Sequence, residues 1–209
     1  MKKLLATVAV GAVLASVYRR FLRRPILDWG STPEEAALAL PGDELLADPD
    51  IVATRAITID APPFAVWPWL VQMGPGRGGA YTYDWIENLF GLGMHSADRI
   101  LPEFQKLEVG TVLRGPNAGL GMRVEVIDPE RVLSLRSEDG AWVWTFALRE
   151  HPSGTRLLSR NRIRAGETLG GRLGMLLMEP GSLVMERKML LGLKERGERL
   201  YAERRGSAS

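Results

Sequence analysis

Between Val52 and Arg164 the chain alternates apolar and polar residues in short runs with a period of two, the spacing of half-buried strands. VATRAITID predicts a first strand at residues 52–60. Further strands are expected at 110–115, 121–128, 131–137, 141–150 and 155–164, with PNAGLG, DPE, SEDG and HPSG as turn signals. Connections this short pair neighbours antiparallel, so the segment reads as a meander. In AWVWTFAL, Trp142, Trp144, Phe146 and Leu148 share one face. In TRLLSRNRIR, Arg156, Arg160, Arg162 and Arg164 lie opposite Leu157, Ser159, Asn161 and Ile163. The arginine face is expected to meet solvent and the other a helix. Ser159 and Asn161 then read either as hydrogen-bonded polar residues at the sheet rim or as contacts for a ligand's polar end.

The period changes after Pro180. From Gly181 to about Arg204, Met185, Met189, Leu193 and Leu200 recur near i, i+4, which predicts one long amphipathic helix with Leu190 beside the stripe. Glu186, Lys188, Lys194, Glu195 and Glu198 are expected to stay wet, with Glu195 and Arg199 placed for a helical ion pair. Gly192 and Gly197 each cost about 1 kcal/mol relative to alanine, so this helix needs support from a sheet, with backbone or ligand close to the glycines. AGETLGGRLGMLLMEPG, residues 165–181, reads as either a mobile lid or a loose connector.

Shorter helices are expected elsewhere. STPEEAALAL carries an N-cap, a proline at the first helical position and early acids, which places a helix at 32–39. Pro62 and Pro63 start another, in which Trp67 and Trp69 read as core or pocket wall. Tyr83 to Leu92 is predicted helical with Trp85, Ile86, Leu89 and Phe90 inward. GPGRGG, residues 74–79, lacks the lysine and hydroxyl of a nucleotide-binding loop and reads as a flexible connector.

The first 24 residues change the picture. Leu4 to Tyr18 is an uncharged, mostly apolar run of 15 residues, about 22 Å as a helix against a hydrocarbon core of about 30 Å. Tyr18, Phe21 and Leu22 extend it if Arg19 and Arg20 snorkel. An uncleaved anchor through residues 4–22, a signal peptide cut near Ala15 and a non-membrane helix are the alternatives. For an anchor, the basic residues behind the run favour a cytoplasmic domain and a place at the cell membrane. The division expected is an anchor at 1–24, a polar tether at 25–50, a folded domain at 51–205 and a disordered tail at 206–209.

The 209 residues carry a net charge of +2, yet Lys2, Lys3, Arg19, Arg20, Arg23 and Arg24 stand in the first 24 without an acid. The remainder is net acidic, which argues against nucleic acid as a partner. There is no cysteine and there are two histidines, which exclude a thiol nucleophile and disfavour zinc. No cofactor is expected. Tyr83, Asp84, Glu87 and His95 form the one candidate constellation. His95 reads either as a general base oriented by a carboxylate, or as part of a set that caps the helix and ties 80–105 to the sheet. Asp84, His95 and Asp98 fix no metal geometry, and no metal is expected.

The order strand, short helix, antiparallel strands, long terminal helix resembles the START-like (SRPBCC) superfamily. ATRAITIDAPPFAVWPWLVQMG is similar to the opening of such proteins. YTYDWIENLFGLGMHSADRILPEFQ, PGSLVMERKMLLGLKER and the LPGDEL tether resemble a bacterial subgroup with an N-terminal hydrophobic segment. The resemblance covers about residues 30–203. It implies an α+β helix-grip fold, a curved sheet around the C-terminal helix with an apolar cavity between them. The superfamily includes lipid carriers, hormone-binding proteins, polyketide cyclases and co-chaperones. A membrane-tethered binder of a hydrophobic small molecule or lipid is therefore expected, with a cyclase- or dehydratase-like enzyme and a filled-core interaction module as alternatives. Trp144, Phe146, Met185 and Met189 are expected as cavity wall and Tyr83 and His95 as its rim, with Trp85 as a further ligand-binding position.

Overall fold

The computed structural model describes residues 16–89, 91–115, 120–166 and 168–207. Six antiparallel strands form one sheet in the order β1-β6-β5-β4-β3-β2. They are β1 (Ile51–Ile59), β2 (Val112–Leu113), β3 (Met122–Asp128), β4 (Val132–Ser137), β5 (Trp142–His151) and β6 (Gly154–Ile163). The alternation predicts these boundaries to within one or two residues, except that only two residues pair in β2. A register shift at Val124/Val126 bends the β3–β4 pair. The architecture is α+β, the helix grip that the resemblance implies.

One face of the sheet meets the C-terminal helix. Phe146, Leu148, Leu157 and Ile59 join Met189, Leu190 and Leu193 in one core, with Val66, Trp69 and Leu70 from the helix after β1. Trp69 is buried and Trp67 packs against the edge of the same core.

The C-terminal helix runs from Leu169 to Gly206, so it starts well before the expected Gly181. Pro180 lies inside it. A proline removes one helical hydrogen bond but does not forbid helix on either side, and side-chain contacts follow it at once. Ser182 Oγ donates to Glu179 O at 2.8 Å, and Glu179 holds two partners from the N-terminal segment. Gly192 sits where the helix crosses a loop: a Cβ there would stand 2.6 Å from Tyr81 O. Arg199 reaches Glu203 rather than Glu195, and the neighbouring pair that forms is Lys194–Glu198 at 2.5 Å.

The other face of the sheet is not the solvent face expected from its arginines. Residues 28–47 fold across it. Leu40 packs on Ala56, Ala147 and Leu158. Arg160 is buried and donates to Leu38 O, Glu35 O, Ala36 O and Asp43. Arg162 donates to Leu46 O and Ala47 O, and Arg156 pairs with Glu35. Thr32 and Glu35 form a capping box on the helix Pro33–Ala37, which presents Glu35 to Arg156. The arginines are therefore the hydrogen-bonding surface on which the tether folds, since buried backbone carbonyls need donors.

Upstream, Tyr18–Leu22 is a π-helical turn leading into the helix Arg23–Leu27, which packs on the C-terminal helix. Most of the expected anchor lies outside the described residues. Among the described residues no helix is long and apolar enough to cross a membrane.

Candidate functional site

Between the sheet and the segment 70–94 lies a cavity of about 450 Å³. Leu70, Met73, Leu113, Leu133, Leu135 and Phe146 make its deep wall, and exposed Leu120 and Arg164 stand at its solvent edge. A second cavity of about 160 Å³ reaches to the C-terminal helix, where Met185, Glu186 and Met189 line it. Ala80, Glu87, Trp142 and Trp144 line both, so the two adjoin.

The β5 alternation places the tryptophans. Trp142 and Trp144 stack with centroids 5.4 Å apart, and Trp144 meets Phe146 at 4.8 Å. Their indole N–H groups point back to the sheet. Trp142 Nε1 donates to Asn161 Oδ1 at 2.8 Å and Trp144 Nε1 to Ser159 Oγ at 2.9 Å. Ser159 and Asn161 thus take the hydrogen-bonded role and hold the cavity wall in place, with Asn161 also at the smaller cavity.

The segment 74–97 forms the opposite wall. GPGRGG is a closed turn rather than a flexible connector: Gly74 and Gly79 exchange backbone hydrogen bonds of 2.9 and 3.2 Å. Arg77 donates to Val71 O and Phe104 O and lies over the Phe104 ring at 4.5 Å. Tyr81 adopts a left-handed backbone at φ 57, donates to Trp69 O at 2.8 Å and lies under Arg196.

The helix Asp84–Leu89 is turned over relative to the expectation. Trp85 and Leu89 are 65% and 75% exposed, while Glu87 on the opposite side is 9% exposed. Phe90 lies outside the described residues. Asp84 accepts from Ser96 N and Oγ at 2.8 and 2.6 Å, and Asn88 exchanges two hydrogen bonds with Met94. These ties close the loop over the cavity and direct Glu87 inward. Glu87 Oε2 is buried without a hydrogen-bond partner among the described residues. Burial, and then the nearby Asp84, push its carboxyl up to about 7.

Of the expected site residues, Trp144 and Phe146 line the larger cavity, and Trp144, Met185 and Met189 the smaller. Tyr83, Trp85 and His95 line neither, and His95 is exposed. Glu87, Glu186 and Trp142 are the additions. Glu186 was expected in solvent and is 7% exposed, paired with Arg55 of β1. The basic residue within the apolar strand VATRAITID was the available signal for a buried acid opposite it. Among the described residues no group of three His, Asp or Glu side chains could hold a metal.

No protein-family model and no curated protein matches the chain. Solved structures do. Protein MLL2253 from Mesorhizobium loti is 21% identical over 71% of this chain and 98% of its own, with a TM-score of 0.43. The Polyketide_cyc-like protein Cgl2372 from Corynebacterium glutamicum is 15% identical over 68% and 88%, with a TM-score of 0.42. The Aha1 dimer from Colwellia psychrerythraea is 16% identical over 71% and 96%, with a TM-score of 0.43.

Proposed function

We propose that the protein binds a hydrophobic small molecule or lipid in the cavity between its sheet and the segment 70–94. The observation that carries this reading is the cavity of about 450 Å³, within the range of ligand sites, with apolar walls and one buried acid. Close packing is the rule inside proteins, so an apolar space of this size is costly unless something occupies it. It also leaves little to support a filled-core interaction module. Membrane attachment through residues 4–22, with the folded part on the cytoplasmic side, belongs to the same proposal. It is supported by the uncharged run and by the exposed Phe21 and Leu22 where the described helix begins.

The test is binding of N-phenyl-1-naphthylamine to the full chain, followed by fluorescence. Parent protein should bind it saturably, and Ala141→Trp and Ala80→Leu, which place bulk in the cavity, should weaken binding at least about tenfold. Equal binding by both folded variants sinks the reading.

A second reading has one observation in its favour. A carboxyl pushed up to about 7 inside a cavity is suited to general acid–base work, as a cyclase- or dehydratase-like reaction needs. Native mass spectrometry of protein purified from membranes separates the two. A carrier releases its co-purified molecule unchanged, whereas an enzyme converts it, and Glu87→Gln stops the conversion.

A further inference from the structure

The smaller cavity has a one-sided hydrogen-bonding character. Every side chain in its wall that carries a polar hydrogen already gives one to a neighbour. Trp142 and Trp144 donate to Asn161 and Ser159. Asn161 Nδ2 donates to Glu186 Oε2 at 3.0 Å, Thr82 Oγ1 to Met185 O at 3.0 Å, and Ser182 Oγ to Glu179 O at 2.8 Å. Once Glu87 is ionised, above about pH 7, what is left over beside the second N–H of Asn161 is acceptors. Glu87 Oε2 and Glu186 Oε1 are both buried and both without a hydrogen-bond partner among the described residues.

The charges are equally one-sided. Glu186 has Arg55 on its other oxygen. Glu87 has no basic partner among its electrostatic neighbours, and no basic side chain lines this cavity. With Glu87 ionised, a ligand carboxylate would meet two acceptors and a second negative charge, and a carbonyl would find only the second N–H of Asn161. A protonated amine has N–H groups for both carboxylate oxygens and supplies the positive charge that Glu87 lacks. The stacked indoles of Trp142 and Trp144 add a face suited to a cation.

We propose that the smaller cavity receives the protonated amine of an amphiphile whose apolar part lies in the larger cavity. This rests on the reading of the larger cavity as a ligand site. The two cavities share four wall residues, so one molecule spans them with its charged head toward the C-terminal helix and its tail against Phe146. Burying the two free oxygens against N–H donors removes the cost of leaving them unpaired.

The experiment uses the full chain at pH 8 with bound N-phenyl-1-naphthylamine, displaced by decylamine or by decanoate. Decylamine is expected to displace the probe at a concentration at least about tenfold lower than decanoate. In Glu87→Gln the preference should fall to within about threefold. Met185→Lys carries its own ammonium into the same cavity and should also abolish the preference, which keeps the test decisive if Glu87→Gln does not fold. If the probe binds but both amphiphiles displace it equally, or decanoate does so better, the amine assignment is wrong and the cavity reading stands. Retention of the preference in both variants overturns it too. A probe that does not bind at all speaks against the cavity reading itself.

Discussion

Arg55 of β1 and Glu186 of the C-terminal helix form an ion pair inside the protein, 1% and 7% exposed. Arg55 also donates to Ser182 Oγ at 2.9 Å and to Ile26 O at 3.2 Å. One guanidinium thus ties together the helix, the sheet and the N-terminal segment. Burial pushes the Glu186 carboxyl up, and Arg55 pulls it back. Removing either partner strands the other charge, and Arg55→Met or Glu186→Leu should each cost about 3–5 kcal/mol by urea unfolding. The double variant should lose much less than the sum of the two. Additive losses would mean that the pair is not coupled.

Three glycines of the same helix differ in what surrounds them. A Cβ at Gly181 meets open space, at Gly197 it meets Val66 at 3.2 Å, and at Gly192 it meets the Tyr81 backbone at 2.6 Å. Alanine is the better helix former by about 1 kcal/mol, so Gly181→Ala should stabilise by up to that amount. Gly192→Ala should destabilise by about 1–3 kcal/mol, because the Tyr81 carbonyl cannot retreat without moving the loop over the cavity. Gly197→Ala should fall between. Thermal melts in that order check the assignment of Gly192 to loop contact.

The strands were legible because period-two alternation in β5 and β6 survives on both faces, and the turns between them are short. The tether was not legible. Its apolar contribution is a few leucines, and the surface it covers announces itself only through Arg156, Arg160 and Arg162, which look like a solvent face when the acceptors are backbone carbonyls 115 or more residues away. The helix Asp84–Leu89 has only six residues, enough for Trp85 and Leu89 to suggest an apolar stripe and too few to decide which side is buried. Ser96 and Met94, which grip Asp84 and Asn88, decide it. The early start of the C-terminal helix was hidden by Pro180 and the glycines before it.

Glu87 should make stability depend on pH. Its carboxyl is near 4.5 when unfolded and is pushed up to about 7 in the fold, so between those values the folded state holds the extra proton. Stability from this group is complete below about 4.5 and is lost as pH rises through about 7. Allowing for screening by solvent at the cavity, the loss is on the order of 1–2 kcal/mol. Glu87→Gln should flatten that part of the melting profile between pH 4.5 and 8. An unchanged profile would mean that Glu87 ionises like a surface acid.

The N-terminal segment is fastened at one carboxylate. Glu179 accepts from Tyr18 Oη at 2.7 Å and from Arg23 Nη2 at 2.8 Å, and is itself buried. Burial and then the Glu179 hydrogen bond push the Tyr18 phenol up to about 12. Any pull on residues before Tyr18 therefore reaches the C-terminal helix two turns ahead of Glu186, and from there Asn161 and Trp142 at the cavity. Glu179→Gln weakens this fastening without removing a core side chain. Amide exchange should then quicken in residues 18–27 and around Ser182, while β5 and β6 keep their protection. The phenol titration of Tyr18 should move back toward 10. A chain beginning at Ile26 loses the fastening but keeps the Ile26 carbonyl for Arg55, and should still fold. A chain beginning at Ile51 uncovers Ala56, Ala147, Leu158 and the buried Arg160 at once, and should aggregate or unfold. If the chain from Ile51 melts as the one from Ile26 does, the tether is a bystander and the sheet holds its arginine face without it.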